Sequence, residues 1–285
     1  MRGESFEFRT EVEAAKQERD QMRLKLQQFI GKGIYPDDEI ERDLITVETI
    51  KAGWKGESNE TGVLAEIALH KNITGGARIF GEKANSVLLS EYDDVTNKYN
   101  DAVIEILHGQ SAEKNNPYRF VLGADFTSSV ESDEIVKKIR GIKKDIDQGT
   151  LSNVKYFMSD HGGNTFVGPL KQLPKVVIAT DMASALRIAT MERDQALNQR
   201  ALEKDPVIKM LYAELMLQFA SYGDYAAKKN RALAEQFSEG IAVLEGVMIE
   251  KKIQKDELRN RTILSNPAFR GLVLAIKNSG IPLKL

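Results

Sequence analysis

The chain has 285 residues, 42% apolar and 29% charged, with a net charge of −2 and no cysteine. That balance suits a soluble globular protein with a real core, and it excludes disulfides, thiolate catalysis and Cys-ligated metal sites. There is no global basic field for nucleic acid, there are only three His, and no run approaches the roughly 20 apolar residues of a membrane helix.

Phe8, Val12, Ala15, Arg19, Met22, Leu26 and Phe29 recur at spacings of 4, 3, 4, 3, 4 and 3, a heptad seam with one charged interruption. Gly31 and Gly33 stop it, and Pro36 follows. Residues 1–33 are expected to form a coiled-coil helix. Its seam (Phe8, Val12, Ala15, Met22, Leu26, Phe29) would lie on another helix, in this chain, in a second copy or in a protein partner. The opening MRGESFEFRTEVEAAKQ has no apolar signal core, so the expectation is cytoplasmic.

Residues 40–203 read as an α/β region. Leu44–Ile50, Asn85–Tyr92 and Tyr118–Phe126 are rich in β-branched and aromatic residues and read as strands. Between the last two, Val95, Tyr99, Val103 and Ile106 share one helical face, and Gly109 ends the run. After Phe126, a helix carries Ile135, Ile139, Ile142 and Ile146 as its apolar stripe, with Ser132 as cap and Asp133 and Glu134 at its positive end. Lys137, Lys138, Arg140, Lys143 and Lys144 make it the most basic helix, a candidate track for a phosphate backbone such as single-stranded DNA; an ordinary exposed face is the plain alternative. Lys155–Thr190 reads as strand, Gly turn, strand, Pro, buried strand and helix, the helix running from about Met182 to Glu203. Residues 204–285 read as mostly helical. Asp205-Pro206 opens a helix, Gly223 breaks it, a second runs over about 225–254, and the end is a short helix followed by a strand or tail.

Candidate chemistry is sparse. Gly75–Asn85 nearly spells a phosphate-binding loop, but Glu82 stands where the motif needs Lys. Asp160 and His161, in SDHGGN, follow a strand and precede two glycines. Asp181 lies at the carboxyl end of the strand KVVIAT, where open α/β sheets collect ligands, although Thr180 or Asp181 there also reads as a helix cap. Asp160, His161 and Asp181 together are the candidate set for a metal-dependent phosphohydrolase or nuclease. Glu192 and Asp194 are two apart and share no helix face.

From Lys155 to Ala189 the sequence resembles the Toprim region of plasmid- and phage-type DNA primases and of some conjugative relaxases. Lys155 and Phe157 open the segment, Gly162-Gly163 turn it, and Phe166 and Gly168 end a strand. Pro174 precedes the strand Val176–Ala179, and Ala183, Ala185 and Leu186 begin a small-residue helix. Active members carry a Glu where this chain has Thr180, and an Asp-x-Asp motif that is missing here. The resemblance therefore implies a degenerate Toprim-like α/β domain, with no cofactor and an enzymatic role disfavoured. The favoured reading is a non-catalytic accessory or structural domain in the DNA processing of a mobile element. A phage virion or scaffold component assembling through the heptads is a further alternative.

Overall fold

A computed structural model describes residues 2–53, 60–97, 101–109, 118–128, 132–195, 202 and 204–284. Helix α1 (Arg2–Met22) buries Val12 and Ala15 and lies along α3 (Glu60–Thr74) of the same chain. The heptad pattern then fails as a helix. Leu26 and Phe29 stand in a 3-10 turn and bury in a small cluster with Leu24, Ile40 and Tyr156, while Met22 is 40% exposed. The seam, for which packing in this chain, in a second copy or on a partner was expected, thus buries Val12, Ala15, Leu26 and Phe29 inside this chain; the side chain of Phe8 lies outside the described residues.

The strand expected over Leu44–Ile50 is part of a helix, α2 (Asp37–Ala52). Asp37, Asp38 and Glu39 occupy its first turn, favourable at the positive helix end. Its buried residues, Ile40 and Val47, lie two turns apart on one face. The opposite correction follows. The helix expected through Val95, Tyr99, Val103 and Ile106 is a short α4 (Glu91–Asn97) and then a strand, β2 (Ala102–His108). Residues 102–106 are buried on both faces, and such a strand carries no period that separates it from a buried helix.

Strands β1 (Ala84–Leu88), β2 and β3 (Tyr118–Thr127) form an antiparallel meander. Helix α5 (Ser132–Asp147) follows, as expected from its isoleucine stripe. Next come β4 (Ser152–Val154), β5 (Met158–His161), β6 (Asn164–Val167) and β7 (Leu170–Leu173), with β4 pairing β7 and β5 pairing β6. Strand β8 (Lys175–Ala179) then joins the main sheet parallel to β3, giving the order β1-β2-β3-β8. One face of the sheet sends Ile104, Ile106, Phe120 and Leu122 into the large helical core. The other meets β4–β7 through Val103, Val121, Val154 and Phe157. Gly162 turns the β5–β6 hairpin at φ 64°, and a Cβ there would fall 2.5 Å from Leu107 Cδ1, so glycine is needed for both the turn and the contact.

After α6 (Met182–Gln195), Asp205 caps α7 (Pro206–Ala227) by accepting from Val207 N at 2.9 Å. Helix α7 closes the open edge of β8. Gln218 accepts from Val177 N at 2.8 Å and donates to Val177 O at 2.7 Å, and Glu214 accepts from Ala179 N at 3.1 Å. Two side chains one turn apart thus satisfy groups that an edge strand would leave unpaired. Helix α7 runs through Gly223 rather than ending there, and the close approach of α8 (Arg231–Glu250) depends on Gly240, where a Cβ would fall 2.9 Å from Phe219 and Phe120. Helices α9 (Arg261–Ser265) and α10 (Pro267–Asn278) precede a tail with no strand among its described residues. The chain is therefore mixed α/β with a helical C-terminal part. One buried apolar cluster reaches from Ala15 to Ile281 and takes side chains from all three sequence segments, 1–33, 40–203 and 204–285.

Candidate functional site

The three acid and imidazole candidates do not form one site. Neighbouring residues of a strand point to opposite faces, so Asp160 and His161 diverge. Asp160 is exposed and accepts a hydrogen bond from the Thr165 hydroxyl across the hairpin. His161 turns inward, with Nδ1 3.9 Å from Glu105 Oε2, and burial lowers its pKa against the opposing pull of Glu105. Asp181 caps α6, accepting from Ser184 N at 2.7 Å, and its second oxygen accepts from Asn266 Nδ2 at 3.2 Å. Among the described residues no group of three or more His, Asp or Glu is placed to hold a metal ion as it stands. Thr180, where the Toprim pattern has Glu, is fully buried with its hydroxyl unpartnered. Glu82, in the loop-like stretch, is exposed and pairs with Arg78 at 3.1 Å. The side chains of Glu192 and Asp194 lie outside the described residues.

The basic set of α5 splits by direction. Lys137, Arg140 and Lys144 are exposed; Lys143 is held by Asp147 at 2.5 Å and lies over the Tyr225 ring. Arg140, Lys143 and Lys144 line a cleft of about 500 Å³ with Asp147, Gln148 and Ser279. Two helix C-termini meet there, that of α5 and that of α10, which Ser279 caps. Their negative dipole ends account for lysines in the last turn without any ligand. Lys138 does something else: it turns inward and donates to Asp125 Oδ1 and, at 3.2 Å, to Phe126 O.

That inward lysine leads to a charge cluster at the carboxyl end of β3. Asp125, on β3, is 1% exposed, and its Oδ2 has no hydrogen-bond partner. Lys175, from the start of β8, brings Nζ to 4.0 Å from that oxygen. The register explains this: Lys175 pairs with Gly123 in the parallel ladder, so its side chain projects from the same face as Asp125, two residues on. Asp101, immediately before β2, accepts from Phe126 N at 2.6 Å and joins the same group. Beside it, Arg23 at the end of α1 donates from Nη1 to Asp94 Oδ2 at 2.8 Å and from Nη2 to Glu66 Oε1 at 3.2 Å. Arg19 Nη1 stands 3.8 Å from Glu66 Oε2. Four carboxylates and four cations thus converge from α1, α3, α4, α5 and three successive neighbours of the sheet.

Their proton affinities follow from burial and crowding. Burial pushes Asp101 well above the usual carboxylate range, and Asp125, Glu66 and Asp94 push it further. Burial also raises Asp125 and Glu66, against Lys138 and Lys175 for the first and Arg23 and Arg19 for the second. Burial lowers the Lys175 ammonium to about 8, with Asp125 and Asp101 only partly offsetting it. For Lys138 the same burial is outweighed by Asp125 and Asp101, so its affinity for the proton rises. Two lysines facing one carboxylate are therefore driven apart, one firmly charged and one able to titrate near neutral pH.

A second buried network lies at the other end of the same sheet face. Glu105 is fully buried, accepts from the Ser159 hydroxyl and from Asn85 Nδ2 at 3.1 Å, and stands 3.1 Å from Arg119 Nη1. It holds the β5–β6 hairpin onto the sheet. Neither network was signalled by a motif. Asp101 and Glu105 fell in a stretch read as helix, and Asp125 was one acid inside a strand. The one available signal was Asp125 at the end of an otherwise apolar strand, followed by a helix rich in lysine. Comparison with family models, with curated proteins and with solved structures finds no match to this chain.

Proposed function

We propose that this chain is a divalent-cation-dependent phosphodiesterase acting on nucleic acid, with its centre at Asp101, Asp125, Lys138 and Lys175. One observation carries the reading: a buried carboxylate, Asp125, keeps an oxygen with no hydrogen-bond partner beside a second acid and two lysines. An unsatisfied buried oxygen costs free energy, and a cation bound there would relieve that cost. Magnesium and manganese favour carboxylate oxygen, and Asp101 and Asp125 are the residues that would hold one. Such an ion supplies Lewis-acid polarisation of a phosphoryl oxygen. Lys138 balances charge against Asp125 and orients it. Nucleic acid as substrate rests on two further supports: the resemblance of Lys155–Ala189 to Toprim regions, and the outward bases Lys137 and Arg140 on the helix that delivers Lys138.

The accessory, non-catalytic role in mobile-element DNA processing is the second reading. The charge balance favours it: Glu66 and Asp94 pair with Arg19 and Arg23, Asp125 pairs with Lys138 and Lys175, and burial favours the protonated form of Asp101, so no carboxylate needs a metal to balance it. The two readings separate in one experiment. The purified chain is incubated with single-stranded DNA, plasmid DNA and RNA in magnesium, manganese or EDTA. Cleavage that needs the cation and disappears in Asp125→Asn and Asp101→Asn is expected. No cleavage with any of these substrates and either ion overturns the phosphodiesterase and leaves the accessory role.

A further inference from the structure

We propose that an apolar cavity beside α7 binds a fatty acid, its acyl chain lying between α7 and α9 and its carboxylate meeting Arg259. The site shares no residue with the charge cluster, and the inference does not depend on the phosphodiesterase reading.

The first observation is the cavity and its walls. It holds about 420 Å³, inside the range of roughly 300–1,000 Å³ usual for small-molecule sites. Ala213, Met216, Leu217 and Ala220 line one wall; spaced i, i+3, i+4 and i+7, they form one stripe of α7. The adjoining positions Glu214 and Gln218 are already engaged in holding β8. Two of the four lining positions are alanine, and their small side chains leave the wall concave. Leu258 and Phe269 are buried and close the floor, while Leu264, on α9, stands at the mouth and is 42% exposed. The frame is fixed before any ligand arrives. Lys209 pairs with Glu257 at 2.5 Å, and Gln254 N donates to Glu257 Oε2 at 2.9 Å, which hold the 3-10 turn Lys255–Arg259 in place. Lys284 N donates to Ser221 Oγ at 3.1 Å and ties the tail to α7.

The second observation is where the charges lie. The side chains of the wall and floor are all apolar, and the charged residues that line the cavity, Lys255, Asp256, Arg259 and Lys284, are exposed at its rim. A sugar or a nucleobase seated there would bury polar atoms without partners, which is costly; a hydrocarbon chain buries none. Three of the four rim charges are positive. Lys255 and Lys284 are each held by one carboxylate, Glu245 at 2.5 Å and Asp224 at 3.2 Å, and each ammonium keeps further donors. Arg259 has no ion pair among the described residues, and its planar fork suits a carboxylate. An interior without polar side chains under a cationic rim matches an acyl chain that ends in a carboxylate. Exposed ion pairs are weak, so burial of the chain supplies most of the affinity and the rim sets the ligand's direction.

The test uses the full chain and decanoate, kept below its micellar concentration, with decanol as the uncharged control, both followed by titration calorimetry. Wild type is expected to bind one decanoate saturably and decanol roughly fivefold more weakly. Ala220→Phe fills the cavity from α7 and is expected to weaken decanoate by roughly tenfold or more. Arg259→Glu is expected to weaken decanoate by roughly fivefold and to leave decanol unchanged. Absence of saturable decanoate binding in wild type overturns the site. Binding that Ala220→Phe leaves intact lies elsewhere and overturns the cavity. Equal affinity for decanoate and decanol, with Arg259→Glu unchanged, overturns the role of the rim. Arg259 is exposed, so Arg259→Glu and the decanol comparison decide the question even where Ala220→Phe does not fold.

Discussion

Lys138→Met tests whether the cluster behaves as one electrostatic unit. Methionine keeps most of the aliphatic stem and removes the ammonium that contacts Asp125 and Phe126 O. Breaking a buried ion pair by deleting one partner costs about 3–5 kcal/mol. Here Lys175 remains 4.0 Å from Asp125, and Lys138 itself is 18% exposed, so about 2–3 kcal/mol is the expected loss near pH 8. The pH dependence has a definite sign. The folded-state affinity of Asp125 for its proton lies above the ordinary value, so the folded state binds more protons than the unfolded one, and stability falls as pH rises through that window. Lys138→Met raises the folded value further and extends the window upward. The penalty is therefore smaller at the acid end of the range, where Asp125 is more protonated, and larger at the alkaline end. In Asp125→Asn/Lys138→Met the closest ion pair is removed whole, while Lys175 loses Asp125 and keeps Asp101, and the double variant is expected to be more stable than the sum of the single losses predicts by at least about 1 kcal/mol. Urea unfolding followed by circular dichroism at pH 5 and pH 8 measures all four chains. A penalty that does not change with pH, or strict additivity of the two substitutions, would refute the reasoning.

Two further substitutions probe the frame around the centre. Glu214 is fully buried, and burial pushes its carboxyl well above the usual range. The folded state therefore keeps a proton that the unfolded chain releases as pH rises past the ordinary glutamate value, and wild type loses stability above that point. Glu214→Gln keeps an acceptor for Ala179 N without titrating, so its melting temperature relative to wild type should climb from pH 5 to pH 8; a constant difference would contradict this. Gly162→Ala places a methyl group 2.5 Å from Leu107 Cδ1 at φ 64°, while Gly163→Ala meets nothing within 4 Å at φ 75°. Both carry the strain of a positive φ, roughly 1 kcal/mol, so Gly162→Ala should be the more destabilising, by a further ~1–2 kcal/mol. Equal losses would mean that the hairpin does not press on the sheet.

Elements were legible where a local feature marks them, whether one-sided burial or, for the fully buried β8, a short apolar run that follows Pro174. The α5 isoleucines, the alternating half of β3, the Asp205-Pro206 cap and the strand Val176–Ala179 all carry a local signature. Leu44–Ile50 misled because its β-branched residues lie on a helix that buries little more than Ile40 and Val47; the acidic first turn was the better guide. Residues 102–106 misled for the opposite reason, because burial on both faces erases the period. The heptad seam was half right: Val12 and Ala15 do pack as a helix, but Leu26 and Phe29 belong to a different element and a different cluster. The charge cluster was least legible. Glu66 and Asp94 lie far from Asp125 in sequence, and Asp101 sits inside a stretch whose type was misread. Only tertiary pairing of β2 with β3 and β3 with β8 brings them together.

The cluster's energetics bear on which of the two functional readings the fold supports. Burying charges is expensive, and well-packed apolar residues of similar volume commonly replace a buried ion pair with no loss of stability. This fold uses that cheaper solution on both sides of the site: Val103 on the same sheet face, and Ile104 and Leu122 on the other, are buried and apolar. At the carboxyl end of β3 eight ionisable groups are held together, and Asp125 Oδ2 is left without a hydrogen bond, as are Glu105 Oε1 and Glu214 Oε1 elsewhere. Glu105 has the same pattern, with Oε2 satisfied by Ser159 and Asn85 and Oε1 facing Arg119 at 3.1 Å, so an oxygen without a hydrogen bond does not by itself distinguish Asp125. Strongly perturbed groups converging at a sheet edge are the usual mark of a site that handles charge. The two buried acids on this face differ in their company: Glu105 faces Arg119, whereas Asp125 faces two lysines and a second acid of raised proton affinity, and that concentration of charge is the argument that Asp125 is placed for a ligand.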